Sequence, residues 1–196
     1  IDAALSGQGI ALASRFLVEN DLKEGRLVQP FAEALHGGSD FQWATKTEDR
    51  NRLWQARHNA YYAGRSLRPG ANGVVTDCCV PISKLSECLM RAKDLAAESG
   101  FLAPIVGHVG DGNFHLLILV DPESDDELGR AKDLVEAVNM LALEFGGTVS
   151  GEHGIGAGKR KYLVQEHGAA YALMGTLKKA IDPGNIMNPG KLVTLN

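Results

Sequence analysis

The strongest constraint on this chain lies at residues 107–120, which read Gly107-His108-Val109-Gly110-Asp111-Gly112-Asn113-Phe114-His115 followed by Leu116-Leu117-Ile118-Leu119-Val120. The closing run is wholly apolar, and Ala103 to Val106 on the other side are largely apolar too. Two such runs around Asp-Gly have the form of a β-hairpin with a two-residue type I′ turn. With Asp111 and Gly112 at the turn, Gly110 faces Asn113, Val109 faces Phe114 and His108 faces His115. Opposed residues share a face, with Cβ atoms about 4.5–5.5 Å apart. The two imidazoles are therefore expected side by side, close enough to share a metal ion. Alternation along the second strand puts Phe114, Leu116, Ile118 and Val120 on one face, and Asn113, His115, Leu117 and Leu119 on the other. A lone histidine on a sheet is ordinarily a packed residue. An opposed pair at a Gly-Asp-Gly-Asn turn is more specific, because imidazole is the commonest metal ligand.

A second stretch supplies what the hairpin lacks. Ser150-Gly151-Glu152-His153-Gly154-Ile155-Gly156-Ala157-Gly158-Lys159 carries a carboxylate and a third histidine. His108, His115 and Glu152 make a three-ligand set that leaves a position open for water or substrate. Glu152 and His153 are adjacent and point apart in an extended loop, so that one binds the ion while the other faces a substrate. The many glycines imply close backbone approach or left-handed positions. They do not form a P-loop, since Lys159 is followed by Arg160 rather than Ser or Thr. Gly154-x-Gly156-x-Gly158 also lacks the dinucleotide-binding spacing, and the Gly-x-Ser-x-Gly elbow of a serine hydrolase is absent. Arg57, beside Trp54 and Tyr61, is ordinarily a solvated side chain; its functional reading is a clamp for a substrate carboxylate.

A net charge of −4 argues against nucleic-acid binding. No apolar run reaches the roughly 20 residues that span a bilayer, and Ile1 opens the chain without the basic and apolar regions of a signal peptide. Cys78, Cys79 and Cys88 form no Cys-x-x-Cys pair. Buried reduced thiols are expected, which fits a cytoplasmic protein.

Helices are expected at about 10–22, from Thr47 to Leu67, from Ile82 to Glu98 with Gly100 as the stop, and from Ser124 to Phe145. Two more helical pieces are expected near 160–166 and 169–181. Strands are expected at Arg26–Phe31, Asp40–Thr45, Val74–Val80, in the hairpin and at Thr148–Ser150. This order is α+β, a mainly antiparallel sheet with helices on one face, and a ferredoxin-like split βαβ core is the best match.

Two resemblances follow. Ser6 to Val28 resembles the last part of the effector-binding domain of LysR-type transcription regulators, although about thirty residues cannot bury a core alone. Residues 1–36 are therefore set apart as a foreign or remnant segment. Residues 37–196 resemble the C-terminal domain of FAD-linked oxidases, a group that includes FAD-dependent D-lactate dehydrogenase, the glycolate oxidase flavin subunit and D-2-hydroxyglutarate dehydrogenase. The matching stretches are Leu53-Trp54-Gln55-Ala56-Arg57, Thr76 to Leu85, the hairpin, Ser150 to Tyr162, and Asp182-Pro183 through Asn188-Pro189-Gly190-Lys191.

The resemblance implies that His108, His115 and Glu152 hold a divalent metal, zinc or manganese, and that His153 is the catalytic base. Arg57 and Asn113 become substrate-binding candidates, and Asn188 lies near the flavin. The implied reaction takes a D-2-hydroxy acid to a 2-oxo acid by hydride transfer to FAD. Gly73 to Asp77 lacks the lysine of hydroxyglutarate-type members, which favours a smaller acid. The family's FAD-binding domain is missing from this stretch, so the chain alone is expected to bind FAD poorly and to turn nothing over. Its partners would be that domain, a small 2-hydroxy acid, and a peripheral membrane or electron-acceptor partner, with the cytoplasmic protein itself peripheral at the inner membrane face. The alternatives are a metal-dependent hydrolase using the same ligands and a ligand-binding regulatory module.

Overall fold

The computed structural model describes residues 59–195 together with Thr47, Glu48 and Asn51. The LysR-like stretch, the expected strand at 40–45 and Arg57 lie outside the described residues. Thr47, Glu48 and Asn51 are helical, as expected.

Strand β4 (Asn113–Val120) is the centre of the molecule, and all eight of its residues are buried. Its alternation sorts them as the sequence indicates. Phe114, Leu116, Ile118 and Val120 pack with Leu85, Cys88, Ala92, Leu134, Val138, Leu141 and Ala142, whereas Leu117 and Leu119 join Ala71 on the opposite face. Each fully buried side chain of this size contributes about 1.5–3 kcal/mol of hydrophobic stabilisation.

The main cluster comes from helices α2 (Ile82–Ser99) and α3 (Asp125–Glu144). Helix α2 buries Leu85, Cys88, Ala92 and Ala96, one stripe at helical spacing, and ends at Gly100, which takes φ +74°. Helix α3 starts at Ser124, whose side chain accepts a hydrogen bond from the Glu127 amide, with Asp125, Asp126 and Glu127 in its first turn. Helix α1 (Ala60–Ser66) lies on the other side of the sheet. There a Cβ at Gly64 would come 2.5 Å from the Leu117 Cδ2 methyl, so a larger residue would force that side chain to shift.

Strand β1 (Asn72–Val75) pairs antiparallel with β4 from Asn72↔Val120 to Val75↔Leu117, and β2 (Cys78–Cys79) continues in the same register at Cys78↔Phe114. The two are one edge strand interrupted at Thr76 and Asp77. Strand β3 (Ile105–Val106) pairs with the other side of β4, and Thr148 bridges to Cys79. The order of pairing is that of a split βαβ sheet, in which the first and second strands flank the third.

The C-terminal part is thinner. Helices α4 (Leu163–His167) and α5 (Ala170–Ile181) follow a 3₁₀ turn at Arg160–Tyr162, and α5 has no buried residue. Buried Asp182 closes the next turn, accepting from the Ile186 and Met187 amides and from Lys178.

Candidate metal centre

The turn before β4 differs from the expected one. His115 faces Val106, not His108. Asp111 does not take positive φ; it belongs to a 3₁₀ turn at Val109–Asp111, and Gly112 alone is left-handed at φ +78°. The connection is longer because it packs against the edge strand: the Val80 amide donates to Gly112 O at 3.0 Å, and a Cβ at Gly112 would meet Val80 O at 2.0 Å. The pairing is shifted by two residues from the expected one, and an even shift preserves the face of every side chain. His108, beyond the end of β3, meets His115 around a shared carboxylate rather than as an opposed pair.

That carboxylate is Glu152. His115 Nε2 lies 3.0 Å from Glu152 Oε1, and His108 Nε2 lies 3.3 Å from Oε2. His153 is on the same side, with its ring stacked on His115 (centroids 4.9 Å, planes 12° apart) and its Nε2 3.7 Å from Glu152 Oε1. Glu152 and His153 thus do not point apart, because their loop is curled and not extended. Their consecutive amides converge on Asp77: Glu152 N donates to it at 3.1 and 3.2 Å, and His153 N at 2.9 Å. Two successive N–H groups aimed at one anion form a nest.

The interruption in the edge strand orients the histidine. Leu116 N donates to Thr76 Oγ1 at 2.9 Å, taking the hydroxyl instead of the ladder carbonyl. The Thr76 carbonyl is then available to His115 Nδ1 at 2.8 Å. A carbonyl only accepts, so Nδ1 carries the proton, and in neutral imidazole Nε2 presents its lone pair toward Glu152. Two acceptors 3.0 Å apart repel unless a proton or a cation lies between them. A histidine held at one nitrogen by a backbone carbonyl is the usual outer-shell arrangement of a metal ligand.

Asp77 is 0% exposed. Burial opposes its ionisation, but the His153 amide, Lys159 and the Glu152 amide outweigh that and hold its carboxyl well below the usual carboxylate range. Among the described residues, the group whose ligating atoms all lie within 4.8 Å of one another is Asp77, His115 and His153, whereas His108 and His115 meet only through the two oxygens of Glu152. With its oxygens taken by the two amides, Lys159 Nζ at 3.0 Å and Asn113 Nδ2 at 3.1 Å, Asp77 is the poorer ligand of the two carboxylates. Glu152, 44% exposed in its side chain, has room to coordinate.

Asn113 faces the site but is buried. Its Nδ2 donates to Asp77 and to Cys78 O, and its Oδ1 is buried without a hydrogen-bond partner in the structure. Asn188 is exposed, at φ +47°, in a C-terminal turn seated on the glycine loop through Leu192 N to Gly156 O (2.9 Å) and Arg160 to Gly190 O. Cys78 and Cys88 are free and fully buried, and burial pushes their thiols up to about 12 and about 11, which removes them as ligands or nucleophiles.

The sequence reading missed Thr76, Asp77 and Lys159 as parts of the site. The available signal was a carboxylate inside an otherwise apolar strand, which needs partners when buried.

Residues 19–192 match the family model for the C-terminal domain of FAD-linked oxidases. The chain belongs to that family. The match reaches back into the segment set apart at 1–36. Over 161 residues it is 49% identical to a probable mitochondrial D-lactate dehydrogenase of Danio rerio, covering 82% of this chain and 32% of that protein. It is 41% identical over 172 residues to the mitochondrial D-lactate dehydrogenase (cytochrome) of Arabidopsis thaliana (87% and 30%). It is 32% identical over 176 residues to a glycolate oxidase subunit of Bacillus subtilis (89% and 36%). The chain thus spans about a third of the length of these relatives. Among solved structures, a 4-ethylphenol oxidase from Gulosibacter chungangensis shares the fold, with TM-score 0.53 and 17% identity over 76% of this chain and 31% of that one. Two of these relatives are named as mitochondrial, so the expected cytoplasmic location finds no support in them. No described helix is long and apolar enough to cross a membrane.

Proposed function

We propose that this chain is the substrate- and metal-binding part of an FAD-linked D-2-hydroxyacid dehydrogenase of the D-lactate or glycolate type. It would take a 2-hydroxy acid to the 2-oxo acid with hydride transfer to flavin. The observation that carries this is the His115 Nε2 lone pair aimed at Glu152 Oε1, with His108 on the other oxygen of the same carboxylate. His108, His115 and Glu152 would hold a divalent ion, which when bound would supply a Lewis acid for the substrate hydroxyl oxygen. Zinc and manganese both suit two imidazoles and a carboxylate.

The protein's own residues then have distinct tasks. Half-exposed His153, steadied by its stack on His115, takes the hydroxyl proton on its ring nitrogen. Arg57, outside the described residues, holds the substrate carboxylate. Asn113, whose amide nitrogen is tied to Asp77, supports that anchor rather than the substrate. The absence of lysine from Gly73 to Asp77 favours a small acid.

For the flavin, the described glycines at 154–158 lack dinucleotide spacing, and exposed Asn188 offers an edge contact at most. The cofactor's main binding surface would belong to a separate FAD-binding domain. The relatives named for cytochrome support a cytochrome as electron acceptor. The test is zinc or manganese uptake, flavin absorbance and D-lactate-driven dye reduction with the full chain. Metal uptake without bound flavin or turnover is expected. Robust turnover without an added partner overturns the division of labour, and failure to take up either metal overturns the metal centre.

A further inference from the structure

Asp77 belongs neither to the ligand set nor to the base, yet it is the most heavily bonded side chain near them. It is fully buried, at the point where the edge strand loses its pairing with β4. A buried carboxylate is tolerated only when its charge and lone pairs are satisfied. Here Asn113 Nδ2 binds Oδ1 at 3.1 Å, the Glu152 amide spans both oxygens at 3.1 and 3.2 Å, and the His153 amide and Lys159 Nζ bind Oδ2 at 2.9 and 3.0 Å. Three of these four donor groups come from one loop, and its Gly151 amide donates to the Asp77 main-chain carbonyl at 3.2 Å. That loop carries no helix or strand between residues 150 and 159. The approach is so close that a Cβ on Gly151 would come 1.9 Å from Asn113 Nδ2 and 2.9 Å from Asp77 Oδ1.

We propose that Asp77 is a positioning residue: it fixes the Glu152–His153 peptide so that Glu152 meets His108 and His115 while His153 stacks on His115. This rests on the metal-and-base reading above and extends it to a residue outside the ligand set and base of that reading. Thr76 does the same for His115 through its carbonyl, so one two-residue break in a strand orients both sides of the centre. Lys159 closes the loop from its far end.

The experiment uses the full chain as wild type, Asp77→Asn, Gly151→Ala and, as a ligand control, Glu152→Gln. Mn²⁺ binding is followed by electron paramagnetic resonance. Amide hydrogen exchange of residues 151–159 is followed without metal. Asp77→Asn and Gly151→Ala are each expected to lower Mn²⁺ affinity 10–100-fold, as removal of an outer-shell partner does, and to speed exchange at the Glu152 and His153 amides while β4 stays protected. Glu152→Gln is expected to lose Mn²⁺ and leave loop exchange unchanged. Affinity within twofold of wild type together with unchanged loop exchange in Asp77→Asn overturns the proposal. If Asp77→Asn also loses protection in β4, Gly151→Ala decides, because it displaces an exposed loop and leaves the buried carboxylate intact; unchanged exchange there overturns the proposal. A wild-type chain that takes up no Mn²⁺ removes the metal reading, while loop exchange, measured without metal, still decides the role of Asp77.

Discussion

The sheet–helix framework and the loop at 150–159 sit side by side and are held by opposite means. The framework is apolar: β4 is buried along its whole length between two sets of side chains. The loop has almost no apolar burial, and its place is set by donors gathered on a single carboxylate. Hydrophobic burial is non-directional and tolerates many sequences of the right volume. Hydrogen bonds to a buried anion are directional and fail sharply when one partner changes. The framework therefore gives stability, and the loop gives geometry.

Four measurements test that contrast. The largest effect belongs to the framework. Phe114→Ala is expected to cost about 3–5 kcal/mol in a denaturant titration, and a cost under about 1 kcal/mol would mean that β4 is not the core. Next, Glu152→Gln should lower zinc affinity at least about 100-fold, more than the loss of an outer-shell partner, with the unfolding midpoint of the metal-free chain unchanged. A large loss of stability there would show that the loop is structural after all.

Third comes acid. Arg68 hydrogen-bonds Glu127 through both its terminal nitrogens and holds the Glu127 carboxyl down at about 2, tying the turn before β1 to α3. A depressed carboxyl contributes stability that is complete above its unfolded value near 4.3 and is lost as pH falls through the folded one. Glu127→Gln should therefore lower stability at neutral pH, where the pair contributes in full, and flatten its pH dependence between about 4.5 and 2. Equal acid sensitivity in the variant would assign the loss to other groups. The smallest effect is expected at Lys161 and Glu136, an exposed ion pair. Glu136→Gln should change stability by less than about 1 kcal/mol at neutral pH.

The framework was legible from residues because its signals are local. The alternation in Phe114–Val120, the stripe on α2, Ser124 as a cap and Gly100 as a stop each follow from short-range periodicity or capping. The convergence of His108, His115 and Glu152, the ligand set proposed above, was legible for a less direct reason: the expected pairing was wrong by two residues, which leaves the face of His115 in place. The curl that brings Glu152 and His153 together was not legible. It depends on Asp77, about 75 residues earlier in the chain, and no local pattern announces a contact of that range. Thr76 was hidden for another reason, since its hydroxyl replaces its own carbonyl in a ladder that sequence reads as continuous.

The cysteines give the two regions a common clock. Cys78 follows Asp77 directly and is sealed at 0% exposure, as is Cys88 on α2, while Cys79 between strand and turn is partly open. A bulky thiol reagent should thus modify Cys79 first and reach Cys78 and Cys88 only when the layers part. Separate labelling rates for Cys78 and Cys88 would then time the opening of the strand beside the anchor against that of the helix behind it, with no probe added to the chain.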